Sequence, residues 1–141
     1  NVMFGTSPVD QETANKLIPQ LLLVNGKRFL SIEPQLNMVY LSHIDADQGG
    51  SEWCQIDCLT GRHTDMARPC ADVPTIHWVI CGGESGPGRR PFNTDWAWQI
   101  YRDCERSKVP FFMKQIDKVI PVPEDLQIRQ FPVDKFFNNA G

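Results

Sequence analysis

No run in this chain approaches the ~20 consecutive apolar residues that a bilayer-crossing helix needs, so no membrane partner is expected. An excess of positive charge is missing too: 14 Lys and Arg stand against 17 Asp and Glu, a net charge of −3. A global field that would recruit nucleic acid is thereby excluded, though a local basic groove is not. The start of the chain shows no secretory signal pattern. The five cysteines are therefore read as reduced thiols, and the expected location is cytoplasmic. No internal repeat is evident. The chain opens on Asn1 rather than Met, so it reads as a fragment or processed product. What is present is 41% hydrophobic and 22% charged residues over 141 positions, the balance of one soluble domain with a core.

Order along the chain begins with a β-type run from Asn1 to Thr6. Ser7 is expected to N-cap a helix with Pro8 at its first position. Ala14, Leu17, Ile18, Leu21 and Leu22 then recur at helical spacing. Pro19 predicts a kink or break, and Asn25-Gly26 a left-handed end. Residues 27–32 form a second strand that delivers Glu33-Pro34, followed by a short strand or turn at Met38–Leu41. Residues 43–75 hold three cysteines, two histidines and Gly49-Gly50 with little apolar periodicity. They read as a long irregular insert with room for a small hairpin. Residues 76–81 are a near-continuous apolar strand suited to burial on both faces. Asn93 or Thr94 caps the next helix, with Trp96, Ala97, Ile100, Tyr101 and Cys104 inward and Arg102, Asp103, Glu105 and Arg106 outward. Residues 109–113 make a final strand ending at Lys114-Gln115. The expected domain is thus residues 1–120 with the insert at 43–75, and an irregular tail at 121–141 in which Phe131, Phe136 and Phe137 dock on the body.

Strand–helix–strand units with connections of this length imply parallel strands. The fold class is α/β, a partial (β/α) barrel with a long insert. Its strands end in Thr6-Ser7, Glu33, Glu84-Ser85 and Lys114-Gln115, and parallel strands would bring these ends to one rim. Glu33, Glu84 and Lys114 are the candidate catalytic residues, since converging charges suit acid–base work or ligand clamping. Solvated loop residues or an ion pair are the plainer alternative. The loop from Gly82 and Gly83 through Ser85 to Arg89 and Arg90 could cradle a phosphate or carboxylate, with Gln115 beside it. It lacks the Lys-Ser/Thr ending of a P-loop, and a simple turn is the competing reading. Cys54, Cys58 and Cys70, with His63 between them, could ligate zinc. Their first spacing departs from the usual C-x2-C, and free thiols in a loop are the plainer reading. Cys81 and Cys104 fall on apolar faces and read as core residues. The four tryptophans are too scattered for a base-stacking platform.

Four ordered motifs carry a resemblance: Asn1-Val2-x-x-Gly5-x-Ser7; Arg28-Phe29-x-Ser31-x-Glu33-Pro34-x-Leu36; Trp78-Val79-Ile80-x-Gly82-Gly83-Glu84-Ser85-Gly86; and Val109-Pro110-Phe111-Phe112-x-Lys114-Gln115. Together they resemble the phage and prophage family of gene products thirty-seven and sixty-eight, three-Cys-motif proteins similar to radical S-adenosylmethionine enzymes. The resemblance covers about 85 residues, 1–41 and 74–117. It implies that this chain is the C-terminal half of a barrel whose missing N-terminal half is its partner. S-adenosylmethionine and a 4Fe–4S cluster are the implied cofactors, with the cluster cysteines in the other half, since none of the cysteines here stands in that motif. Gly82-Gly83-Glu84 also matches a string of radical S-adenosylmethionine enzymes, but there it follows an earlier strand, and the match is set aside as coincidence. The resemblance leaves the substrate open, as a small molecule or a nucleic acid, and its phage setting points to nucleic-acid or nucleotide modification. The alternative is a non-catalytic module whose Cys/His insert binds zinc or a protein partner.

Overall fold

The structure, a computed structural model, describes residues 2–46, 55–63 and 73–133. β1 (Met3–Thr6) leads into α1 (Gln11–Leu22) and β2 (Lys27–Ile32). Three short strands follow: β3 (Ile44–Asp45), β4 (Gln55–Asp57) and β5 (Arg62–His63). β6 (Trp78–Gly82), α2 (Thr94–Ser107) and β7 (Phe111–Gln115) complete the main body. The main sheet has the order β1-β2-β6-β7, every pair parallel. The expected parallel, neighbouring strands are therefore present, as a four-stranded α/β sheet with two helices.

The sheet has one dry face. Leu30 pairs with Val79 and Val79 with Phe111; Ile32 pairs with Cys81 and Cys81 with Met113. All six are buried and share one core with Ala14, Ile18, Leu21 and Leu22 of α1 and Ala97, Ile100 and Cys104 of α2. Both helices thus cover the same face. The opposite face carries Phe29, Ser31, Trp78, Ile80 and Phe112, all half-buried. β6 is therefore not buried on both sides, because no helix lies over that second face among the described residues. Its lower end is instead roofed by rings: Trp78 lies 6.2 Å from Phe29 and 6.2 Å from Phe112, and Phe131 lies 5.7 Å from Trp78.

α1 begins later than its sequence suggests. Asp10, not Ser7, is the N-cap, and Thr13 answers it in a reciprocal capping box. The Asp10 carboxylate accepts from the Thr13 N–H at 2.9 Å while the Asp10 N–H donates to the Thr13 hydroxyl at 3.1 Å. These bonds hold the Asp10 pKa below its usual value. The helix runs through Pro19 without a break, since the proline sits near its C-terminal end and removes only one bond there. Leu23, with right-handed dihedrals, ends it rather than Asn25-Gly26; Gly26 instead makes the turn into β2 at φ 143°. Met38–Tyr40 is irregular and leads into a turn at Leu41-Ser42, so no strand forms there.

The described part of the insert, residues 43–46, 55–63 and 73–75, holds the small hairpin for which its sequence left room. β3, β4 and β5 form an antiparallel sheet, and Ile44, Ile56, Cys58 and Leu59 join the core. Asn15 on α1 latches it by bonding both the side chain and the backbone N–H of Asp45, at 3.1 and 3.2 Å. Strands of two or three residues show no readable period. On α2, Asp103 is buried rather than outward. Arg106 at 2.9 Å and Gln99 at 3.3 Å satisfy Oδ1, and Oδ2 has no partner among the described residues.

The tail also departs from a loose wrap. A 3-10 turn at Glu124–Leu126 buries Leu126, and Arg129 bridges Phe112 in antiparallel fashion. Met113 donates to Ile128 O at 2.8 Å and Gln130 to Phe111 O at 2.9 Å, so residues 128–130 seal the outer edge of β7. Nothing among the described residues pairs with the outer edge of β1. Phe131 docks as expected; Phe136 and Phe137 lie outside the described residues.

Candidate functional site at the strand ends

Because β2, β6 and β7 run side by side in one direction, the residues that follow them meet at one end of the sheet. Glu33, Glu84 and Lys114 line one open cavity of about 420 Å³, together with Pro34, Gly83, Ser85, Gly86, Pro87, Gly88 and Arg89. Glu33 and Lys114 continue the half-buried face of their strands, and the Lys114 ammonium lies 3.1 Å from Glu33 Oε2. Gln115 donates weakly to Glu33 Oε1 at 3.5 Å and to Gly83 O at 3.4 Å. The Gly83 N–H returns to Gln115 O at 2.9 Å. Gly82 and Gly83 are buried, and Gly83 lines the cavity; Gly82, Arg90 and Gln115 are not among its lining residues.

The two arginines do not form a free fork. Arg90 grips Glu84 with its backbone N–H at 2.6 Å and with Nε and Nη2 of its guanidinium. Six residues apart, the pair clasps the base of the glycine-rich loop. Arg89 Nε donates to Asp117 Oδ2 at 2.8 Å, and Asp117 also accepts from the N–H groups of Val119 and Ile120. The loop is thus tied to β6 at one point and to the exit of β7 at another. Hydrogen bonds from Arg90 lower the Glu84 pKa to about 2. Bonds from Ile120 and Arg89 lower that of Asp117.

The sign for Glu84 follows from that depression. A carboxylate whose folded pKa lies below its unfolded value of ~4.3 stabilises the fold above that value, and the benefit fades as pH falls through the folded pKa. Glu84 should therefore stay ionised, and the clasp closed, from neutral pH down to pH ~3, opening only toward pH ~2. Carbon-13 NMR titration of the Glu84 carboxyl checks this. A midpoint near the ordinary glutamate value would show that the clasp does not form in solution.

Two residues of this region escaped sequence reading. Asp117 carries a signal, since it is a third acid just past a strand end. Gln35 carries none: buried glutamines are uncommon and nothing around it marks it. Its backbone N–H donates to Gly82 O at 2.8 Å, its amide donates to Asn37 O at 3.1 Å, and its Oε1 accepts from the Cys81 thiol at 3.0 Å. It thereby ties the exit of β2 to the exit of β6.

None of the described cysteines lines the cavity. Cys54 and Cys70 lie outside the described residues. Cys58 is fully buried, and burial first, then the Asp57 charge, pushes its thiol well up. His63 is half-buried on β5. Burial likewise raises the thiols of Cys81 and Cys104. Among the described residues no group of three His, Cys, Asp or Glu is placed to hold a metal ion. Neither described helix is long and apolar enough to cross a membrane.

A parallel sheet with both helices on one face and charged strand ends around one cavity defines an α/β protein with a candidate site at the strand ends. More particularly, the chain belongs to the DUF5131 family, proteins of unknown function, whose model matches residues 1–130. No curated protein and no solved structure matches it.

Proposed function

We propose that this chain supplies the ligand-binding rim of a partial (β/α) barrel of the radical S-adenosylmethionine-like kind, acting on a small-molecule or nucleic-acid substrate. The observation that carries the reading is the convergence of Glu33, Glu84 and Lys114 on one cavity at the ends of three adjacent parallel strands. In barrels built this way the chemistry sits at that end. The donor set suits the amino-acid end of S-adenosylmethionine: the Glu33 carboxylate can take its ammonium and the Lys114 ammonium its carboxylate. When bound, that cofactor supplies a carbon–sulfur bond activated by positive charge. Glu84 acts by holding the loop, because its oxygens are engaged by Arg90. A 4Fe–4S cluster does not fit Cys58, Cys81 or Cys104, which are buried in the core with raised thiols. Its ligands would belong to the partner half of the barrel. That half would join at β1, whose Met3-Phe4-Gly5-Thr6 edge has no lysine, proline or bulge to guard it.

Glu33→Gln tests the reading. The pair with Lys114 is half-exposed and worth at most ~1 kcal/mol, so folding should survive. The dissociation constant for S-adenosylmethionine, measured by calorimetry, should rise roughly tenfold or more with the loss of the charge-assisted bond. Unchanged affinity, or no binding to the parent chain, refutes the cofactor assignment.

A further inference from the structure

We infer that the rim cavity receives a phosphate group, so that a phosphorylated small molecule is one of its ligands; this rests on the rim being the ligand site, as proposed above. Each acid around the cavity has a donor partner within the chain. Glu84 is held by Arg90, Asp117 by Arg89 and two backbone N–H groups, and Glu33 by Lys114 and Gln115. What is left over among the side chains can donate. Arg89 is bound through Nε alone, so Asp117 fixes the plane of the guanidinium while its two terminal nitrogens have no partner among the described residues. Lys114 has Glu33 as its one hydrogen-bond partner there and remains 53% exposed. The Ser85 hydroxyl and the backbone N–H groups of Ser85, Gly86 and Gly88 make no hydrogen bond to any described residue.

Space matches these donors. A side-chain carbon added at Gly86 or Gly88 would meet nothing within 4 Å, so this wall of the cavity is bare backbone open to a ligand. Successive unsatisfied N–H groups on a glycine-rich turn make an anion-binding concavity. An arginine held in plane is suited to the paired oxygens of a phosphate, and a lysine adds a mobile point charge. A carboxylate offers two oxygens to this array; a terminal phosphate offers three. The volume of about 420 Å³ suits a small ligand rather than an extended strand.

The test is a proton–nitrogen NMR titration of the full chain with pyrophosphate at constant ionic strength, with acetate in a parallel arm. The expected result is saturable shifts at Ser85, Gly86, Gly88 and the Arg89 side chain. Arg89→Gln should weaken binding roughly tenfold, and Ser85→Ala by a smaller factor. Arg89→Lys keeps a cation opposite Asp117 but loses the fork, and should weaken binding nearly as much; thermal unfolding shows that each variant is folded. Shifts absent, or scattered over surface lysines, overturn the inference, as do variants that bind like the parent. Acetate binding as tightly as pyrophosphate replaces phosphate by carboxylate and also overturns it. S-adenosylmethionine is titrated separately: its failure beside successful pyrophosphate binding removes the cofactor assignment alone, and the reverse pattern removes the phosphate site alone.

Discussion

Gly83→Ala is expected to lower the unfolding free energy by roughly 3 kcal/mol, the upper end of the cost of forcing an extra carbon into a packed interior. The new Cβ would stand 2.0 Å from Ile116 O and 3.0 Å from the Phe92 ring. The nearer atom is backbone, so relief requires moving the exit of β7, which carries Lys114 and Gln115. Stability and ligand binding should therefore fail together. Urea unfolding gives the first and titration the second. Gly86→Ala is the control: it meets nothing within 4 Å and should leave stability unchanged. A Gly83→Ala protein as stable as the parent would show that β6 and β7 do not approach as described.

Phe111→Ala should cost about 3–5 kcal/mol, the range for emptying a buried aromatic site. Phe111 is fully buried, pairs with Val79 across the sheet and lies 5.6 Å from the Tyr101 ring. Small domains hold only ~5–15 kcal/mol in total, so much of this variant should be unfolded at 37 °C. Phe111→Leu retains most of the volume and should cost under about 1.5 kcal/mol. Denaturation midpoints of the two variants decide the matter. A Phe111→Ala loss near 1 kcal/mol would mean that the site collapses or that α2 is not seated on β7.

Much of this fold can be read in the chain because the main strands are short apolar segments stopped by residues that cannot continue them. The limits of β2 follow from Gly26 before it and Glu33-Pro34 after it, and α2 from Asn93 and its apolar stripe. The start of α1 is less legible: Ser7 and Asp10 are both good caps, and what decides between them is the answering bond from Thr13. The insert is opaque because its strands have two or three residues and gain their order from Asn15 and the core beneath them. Asp103 misleads in another way, since a charge on a helix is ordinarily exposed and only the folded neighbourhood reveals that this one is buried. At the rim, a simple rule about strand ends gathers Glu33, Glu84 and Lys114. The division of labour among them depends on the curl of the loop, which brings Arg90 back onto Glu84 and turns Arg89 toward Asp117. No periodicity encodes that curl.

The unequal guarding of the two sheet edges bears on how copies of this chain can stick together. Residues 128–130 occupy the outer edge of β7, so within the main sheet β1 is the edge strand that no described residue pairs with. Val2, just before that strand, and Phe4 on it are 70% and 42% exposed. A protein with two sticky edges can add copies without limit, whereas one with a single sticky edge is used up once two copies pair about a twofold axis. Without the partner half proposed to join at β1, concentrated samples of this chain should accordingly stop at a discrete pair instead of growing fibres, and stripping away the segment after Asp117 would convert a self-limiting contact into a propagating one.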